Sequence, residues 1–285
     1  MLTWVLGCAL PPPPTLEGWR GGAGYWPENS RAAIDGAVDT ALAAIHLDAA
    51  LTADGQIVLA RDGLLRAERC THADGAPLER NVVVRKHDLQ ELSTYRCGGS
   101  PDPEFPNAVV VAEAPVSLDA LIDALHAAPT LAVHLELGVD PPLTPAADRI
   151  APALVDRWLA ADLPNDLVVS SSDPAVLRAF DDRARALGAD LFTVLRWPGP
   201  GDSATADAIE AEAERWVGGL DYVAVAGDAD GLLVPHRLAD PWQLRAAGDA
   251  GLPVWVEVGP DPVDLADAAR WRVDTVLTPY PGDLP

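Results

Sequence analysis

His46 and Asp48 stand two residues apart in the run Ala44-Ile45-His46-Leu47-Asp48. On a β-strand that spacing turns both side chains to one face. Cys70 and Cys97 offer thiol chemistry. In an oxidising compartment they would form a disulfide; the other reading is two unrelated buried thiols. Neither their spacing nor their neighbours suggests zinc. The run Ser170-Ser171-Ser172 looks like a nucleophile cluster, yet no nucleophile elbow flanks it. His72, His87, His126 and His236 have no partner at motif spacing and read as solvated or helix-terminal side chains.

Side chains placed in this way need strands, and the hydrophobic pattern supplies them. Strands are expected over 16–21, 43–48, 130–137, 167–171, 190–196, 221–226, 253–259 and 274–278. Amphipathic helices are expected between most of them, over 30–41, 146–161, 173–187, 205–217 and 262–271. Such alternation implies parallel strands joined by helical crossovers, and eight of them imply an α/β fold of the closed TIM-type (β/α)8 barrel. The run 56–62 follows Ala53-Asp54-Gly55 too closely for a helix to intervene, so it reads as a hairpin partner. The barrel should therefore be slightly irregular near its start. The segment 63–115 breaks the alternation, carries Cys70 and Cys97, and reads as an insertion on a βα loop. Such loops lie at the face where barrel sites are built. A doubly wound open sheet is the alternative fold, although no Gly-rich dinucleotide fingerprint accompanies it.

Composition narrows the partners. With 43 acidic against 20 basic residues, the net charge is −23 and hydrophobic residues make up 49% of the chain. A surface of that sign repels nucleic acid and anionic membranes. Val5-Leu6-Gly7-Cys8 resembles a bacterial lipobox, in which Cys8 would be lipidated, and Pro11-Pro12-Pro13-Pro14 would follow as a stiff tether. This divides the chain into a leader and tether over 1–15 and a barrel over 16–285. The expected location is an exported lipoprotein, with membrane contact only through an anchor at Cys8. The apolar run is short and no basic segment precedes it, so a cytoplasmic N-terminus is the other reading.

Five short pieces in order carry a resemblance. They are Gly18-Trp19-Arg20-Gly21, Pro27-Glu28-Asn29-Ser30, Ile45-His46-Leu47-Asp48, Leu51-Thr52-Ala53-Asp54-Gly55 and Arg61-Asp62. Together they resemble the opening of the glycerophosphodiester phosphodiesterase family: His-Arg-Gly, Pro-Glu-Asn-Thr, Glu-x-Asp, Thr-x-Asp-Gly and His-Asp. Further on, Val133-His134-Leu135-Glu136-Leu137-Gly138 resembles its Ile-Glu-Leu-Lys strand. Val168-Val169-Ser170-Ser171-Ser172-Asp173-Pro174 and Asp274-Thr275-Val276-Leu277-Thr278-Pro279 resemble two later family segments. The resemblance covers almost the whole chain.

The resemblance implies metal-assisted hydrolysis of glycerophosphodiesters by two proton-transferring histidines. Those catalytic positions are Trp19 and Arg61 here, and neither side chain passes protons near neutral pH. The phosphate-binding lysine of the family falls at Gly138, and the closing aspartate at Pro279. The family's metal ligands fall at His46, Asp48 and Glu136, with Glu28 in the acidic turn; His134 is the alternative for the position given to Glu136. Ca²⁺ or Mg²⁺ is the cation implied by the family, Zn²⁺ or Mn²⁺ if His46 is a ligand, and polar residues holding no metal are the other reading. Arg20 and Asn29 are retained, and with Arg196 and Glu257 at strand ends they could bind an anionic or polyol-bearing ligand. The expected function is a family barrel whose catalysis is impaired or lost, kept to bind a small phosphodiester, phosphate or polyol ligand, or a partner. A rewired metal-dependent phosphodiesterase and a structural surface lipoprotein are the alternatives.

Overall fold

The computed structural model describes residues 14–138, 140, 143–197, 221–271 and 273–282. Strands β1 (Thr15–Gly18), β2 (Ala44–Leu51), β8 (Ala132–Leu137), β9 (Leu167–Ser171), β10 (Phe192–Arg196), β11 (Gly231–Pro235), β12 (Val254–Glu257) and β13 (Thr275–Thr278) pair in parallel. The ring closes where β1 meets β2, through Glu17 opposite Ala44 and Gly18 opposite Ile45. This is the closed barrel that the alternation implies. The antiparallel strand β3 (Ile57–Leu59) pairs with the far end of β2, which is the expected hairpin and irregularity.

Alternation along each strand decides what faces where. In β2, Ile45 and Leu47 join the large apolar cluster between strands and helices, and both are fully buried. The helices of that shell have local start signals. Ser30 caps Arg31–Asp39 by accepting the Ala33 N–H. Pro174–Ala186, Pro241–Asp249 and Pro262–Arg270 each begin on Asp-Pro, with the aspartate as cap and proline in the first turn. A cap of this type contributes about 1 kcal/mol, and proline there gives up no needed donor.

The strand expected over 221–226 is instead a short helix, Tyr222–Ala226, and the barrel strand is β11 just after it. Short apolar runs are ambiguous in period. Asp221 resolves this one by accepting the N–H groups of Val223 and Ala224, a helix cap. Leu232, Leu233 and Val234 then carry the fully buried strand. The helix expected over 205–217, Cys8 and Pro11–Pro13 lie outside the described residues.

Four short strands follow β3: β4 (Leu64–Leu65), β5 (Cys70–His72), β6 (Val82–Val83) and β7 (Tyr95–Cys97). They form two small ladders, β4 with β6 and β5 with β7. In the second ladder Cys70 lies directly opposite Cys97, and the two form a disulfide with their Cα atoms 4.0 Å apart. Beneath it Leu65, Leu78, Val84 and Leu92 make a small core that leans on Val58 of β3.

Candidate functional site at the barrel mouth

The two turns that carry Trp19 and Arg61 share one shape. After β1 comes the single turn Trp19–Gly21, and after β3 the single turn Arg61–Gly63. In each, the second residue is left-handed: Arg20 at φ 51° and Asp62 at φ 56°. Non-glycine residues seldom take that conformation, and such strain gathers at functional sites. Gly21 follows at φ +86°, and a Cβ there would lie 2.5 Å from the Cβ of Ala33, so glycine is required. Both turns thus hold their side chains on strained backbone.

Trp19 is buried, with its ring edge toward Phe105. The Arg20 guanidinium carbon lies 3.8 Å from the Trp19 ring centroid. Trp19 therefore serves as a platform for a cation. Arg20 Nη1 is 3.1 Å from Glu28 Oε2, and its Nε is 3.4 Å from Asp48 Oδ2. Asn29, at φ 55°, fixes Asp48 from the other side. Its Nδ2 donates to Asp48 Oδ2 at 2.8 Å, and its Oδ1 accepts the Asp48 backbone N–H at 2.8 Å. Glu28 is also met by Arg69 of the inserted segment, Nη1 to Oε1 at 2.9 Å.

In register, Asp48 pairs with Glu136 and His46 with His134. Glu136 therefore stands beside Asp48 at the mouth, and the two histidines lie one layer deeper, with ring centroids 4.8 Å apart. Arg196 bridges Glu136 and Glu257, at 3.4 Å and 2.8 Å. Burial pushes the Glu136 carboxyl up, but the Arg196 charge, the bond and charge of His46 and the Arg20 charge together hold the group below the ordinary glutamate value. Both Arg20 and Arg196 are held above the ordinary arginine value: Asp48 and Glu28 outweigh burial for Arg20, and Glu136 dominates for Arg196.

The lumen below was only partly anticipated. Glu17 is buried on β1; its Oε1 meets His134 Nδ1 at 2.8 Å, and its Oε2 accepts the Trp255 Nε1–H at 3.0 Å. Burial raises the Glu17 carboxyl, yet the His134 charge and hydrogen bond outweigh it, and the net shift is downward. His46 is fully buried and its Nε2 lies 3.3 Å from Glu136 Oε2. Burial would lower its pKa, but the bond to Glu136 together with the charges of Glu136, Asp48 and Glu17 raises it overall. The Arg20 backbone N–H donates a long hydrogen bond to His46 Nδ1 at 3.5 Å. A charged residue in the apolar strand Thr15-Leu16-Glu17-Gly18 is the signal that could have marked Glu17 in advance.

The strand ends open into a cleft of about 610 Å³ lined by Trp19, Asp48, Arg61, Glu136, Arg196 and Glu257. The inserted segment adds Arg66, Glu68, Arg69 and Glu104, and Arg237 completes the wall. Six arginines face the cleft beside six acidic residues, so the mouth is close to neutral on a chain of net charge −23. A Cβ at Gly138 would meet nothing within 4 Å, so packing does not require glycine there.

The residues present do not fit a divalent cation as they are arranged. Glu28, Asp48 and Glu136 each have an arginine partner, and His46 Nε2 is engaged with Glu136. A doubly charged ion on the Glu136 oxygen would lie roughly 4 Å from the Arg196 guanidinium and be repelled by about 8 kcal/mol at an effective dielectric constant near 20. Among the described residues, no group of three or more His, Cys, Asp or Glu side chains is arranged to hold a metal ion.

Comparison with known proteins adds the lineage. The profile of the glycerophosphoryl diester phosphodiesterase family matches residues 20–281. YhdW of Bacillus subtilis (strain 168), assigned as a glycerophosphodiester phosphodiesterase, is 33% identical over 117 residues, which span 41% of this chain and 42% of that protein. A Silicibacter pomeroyi DSS-3 structure, assigned as a glycerophosphoryl diester phosphodiesterase, superposes with a TM-score of 0.76 at 22% identity, covering 96% of this chain and 92% of that one. An Oleispira antarctica phosphodiesterase solved in complex with the product sn-glycerol-3-phosphate gives a TM-score of 0.68 at 20% identity, covering 94% of each chain. At these identities the solved structures speak for the fold.

Proposed function

We propose, from the premise that the chain belongs to the glycerophosphoryl diester phosphodiesterase family, that its mouth binds a small phosphate-bearing ligand with little or no turnover of glycerophosphodiesters. One observation carries the reading. The cleft keeps the strained turns and the anion-binding Arg20, while the two positions that the resemblance gives to proton transfer hold Trp19 and Arg61. A positioned acid or base contributes ~10²–10⁴-fold to rate. Indole does not titrate, and guanidinium stays protonated. The glycerol phosphate bound by the Oleispira antarctica relative supports the ligand class. Arg20, Arg61 and Arg196 supply donors for phosphate oxygens, and the carboxylates of Glu136 and Glu257 could accept from glycerol hydroxyls.

The test is turnover of a small glycerophosphodiester beside binding of sn-glycerol-3-phosphate. Binding is expected, with turnover at least ~10²-fold below a relative that keeps both histidines. Turnover should return further with Trp19→His and Arg61→His together than with either alone, because the roles act as a unit. Turnover at a relative's rate would overturn this reading in favour of a rewired phosphodiesterase. Export and lipidation at Cys8 belong to the same proposal: wild type should fractionate with membranes and Cys8→Ser should not.

A further inference from the structure

We propose that the guanidinium of Arg196 stands in place of a divalent cation, so that this chain binds its phosphate-bearing ligand without metal. The inference rests on the proposed ligand class but not on the absence of turnover. A cation at such a site does two things: it neutralises the clustered carboxylates, and it offers positive charge to the phosphate. Arg196 does the first by spanning Glu136 and Glu257. Arg20 does the same for Asp48 and Glu28 across the mouth. The second task has its own trace. Arg196 Nε is a buried N–H donor with no hydrogen-bond acceptor among the described residues, whereas Arg20 Nε faces Asp48 Oδ2 at 3.4 Å. Buried donors are nearly always satisfied, so this one beside the cleft calls for an acceptor from outside. A phosphate group, with several strong acceptor oxygens, is such an acceptor, and guanidinium is suited to it. His46 supports the same state, because its Nε2 faces Glu136 rather than the cleft.

The experiment has two arms on the full chain. In the first, sn-glycerol-3-phosphate is titrated calorimetrically in EDTA and again with Ca²⁺ or Mn²⁺ present. Equal affinity, within about twofold, is expected, and Arg196→Met should weaken it by about 10- to 100-fold in EDTA. In the second arm, Mn²⁺ alone is titrated and followed by electron paramagnetic resonance. Wild type should show no saturable Mn²⁺ site up to about 1 mM, whereas Arg196→Met should gain one that Asp48→Asn then removes. Saturable Mn²⁺ binding by wild type that Asp48→Asn abolishes, or phosphate binding that needs metal, would overturn the inference. If glycerol phosphate binds under neither condition, the proposed ligand class fails, while the Mn²⁺ arm still decides the substitution of arginine for metal. Should Arg196→Met not fold, judged by circular dichroism, Arg196→Gln takes its place, and the wild-type Mn²⁺ result alone can refute the idea.

Discussion

Along β2 and β8 the outward residues Ile45, Leu47, Val133 and Leu135 are fully buried against the helical shell. The inward residues of the same strands are His46, Asp48, His134 and Glu136, held by Glu136, Arg20, Glu17 and Arg196 respectively. The shell asks only for apolar volume at alternate positions. The lumen asks for matched charges, and a change in one residue must be met by a change in another. That difference means that residues at the mouth can change while the fold is kept. The shell does not depend on them, and in the lumen arginines meet the carboxylates.

The contrast is sharpest at Glu17. Replacing it by Gln leaves His134 and Trp255 facing a weaker acceptor, and should cost about 4 kcal/mol in denaturant unfolding near neutral pH. Its pH dependence follows from the downward shift of its carboxyl. The stabilisation is complete above the unfolded value of about 4.3, and is lost as pH falls through the lower folded value. Unfolding midpoints measured toward acid should therefore flatten in Glu17→Gln. His46 behaves in the opposite sense. Its raised pKa adds stability that is full below about 6.5 and is lost as pH rises through the folded value. A variant Glu17→Gln as stable as wild type would show that the lumen charges are not held as pairs.

Leu135→Ala tests the other face. It should cost about 3 kcal/mol by cavity formation, with no change in affinity for sn-glycerol-3-phosphate. Lost affinity at matched stability would mean that shell and lumen are coupled. The disulfide ranks close to this. Its cysteines are 27 positions apart, and the crosslink should contribute about 3 kcal/mol to the inserted segment, read as lowered hydrogen-exchange protection near β5 and β7 in a Cys70→Ser, Cys97→Ser variant. The smallest effect belongs to the exposed surface. Arg183 meets Asp156 at 2.6 Å on solvated helices, and Arg183→Ala should change stability by less than about 1 kcal/mol.

The shell was legible in the sequence because alternation and Asp-Pro starts are local signals. The strand expected over 221–226 failed because Tyr222-Val223-Ala224-Val225-Ala226 fits either period, and only the Asp221 cap decided it. The mouth was legible where motifs carried it: Trp19, Arg20, Asp48, Arg61, Glu136, Arg196 and Glu257 all face one cleft. The arginine pairings were not legible. They depend on side chains from distant segments meeting across the lumen, such as Arg69 reaching Glu28, and no spacing in one chain encodes that. His46 also could not be read from its type alone, since the imidazole turns toward Glu136.

The clasp between Cys70 and Cys97 has a kinetic side. The segment it fastens carries Arg66, Glu68, Arg69 and Glu104 over the cleft, and Arg69 is anchored at once to Glu28 and to Asp102. The disulfide keeps the segment itself in one shape, and the Arg69–Glu28 ion pair ties that shape to the barrel. With the clasp intact, a molecule in the cleft should enter and leave slowly. Once it is reduced, release and capture should both quicken while their ratio, the affinity, stays nearly the same.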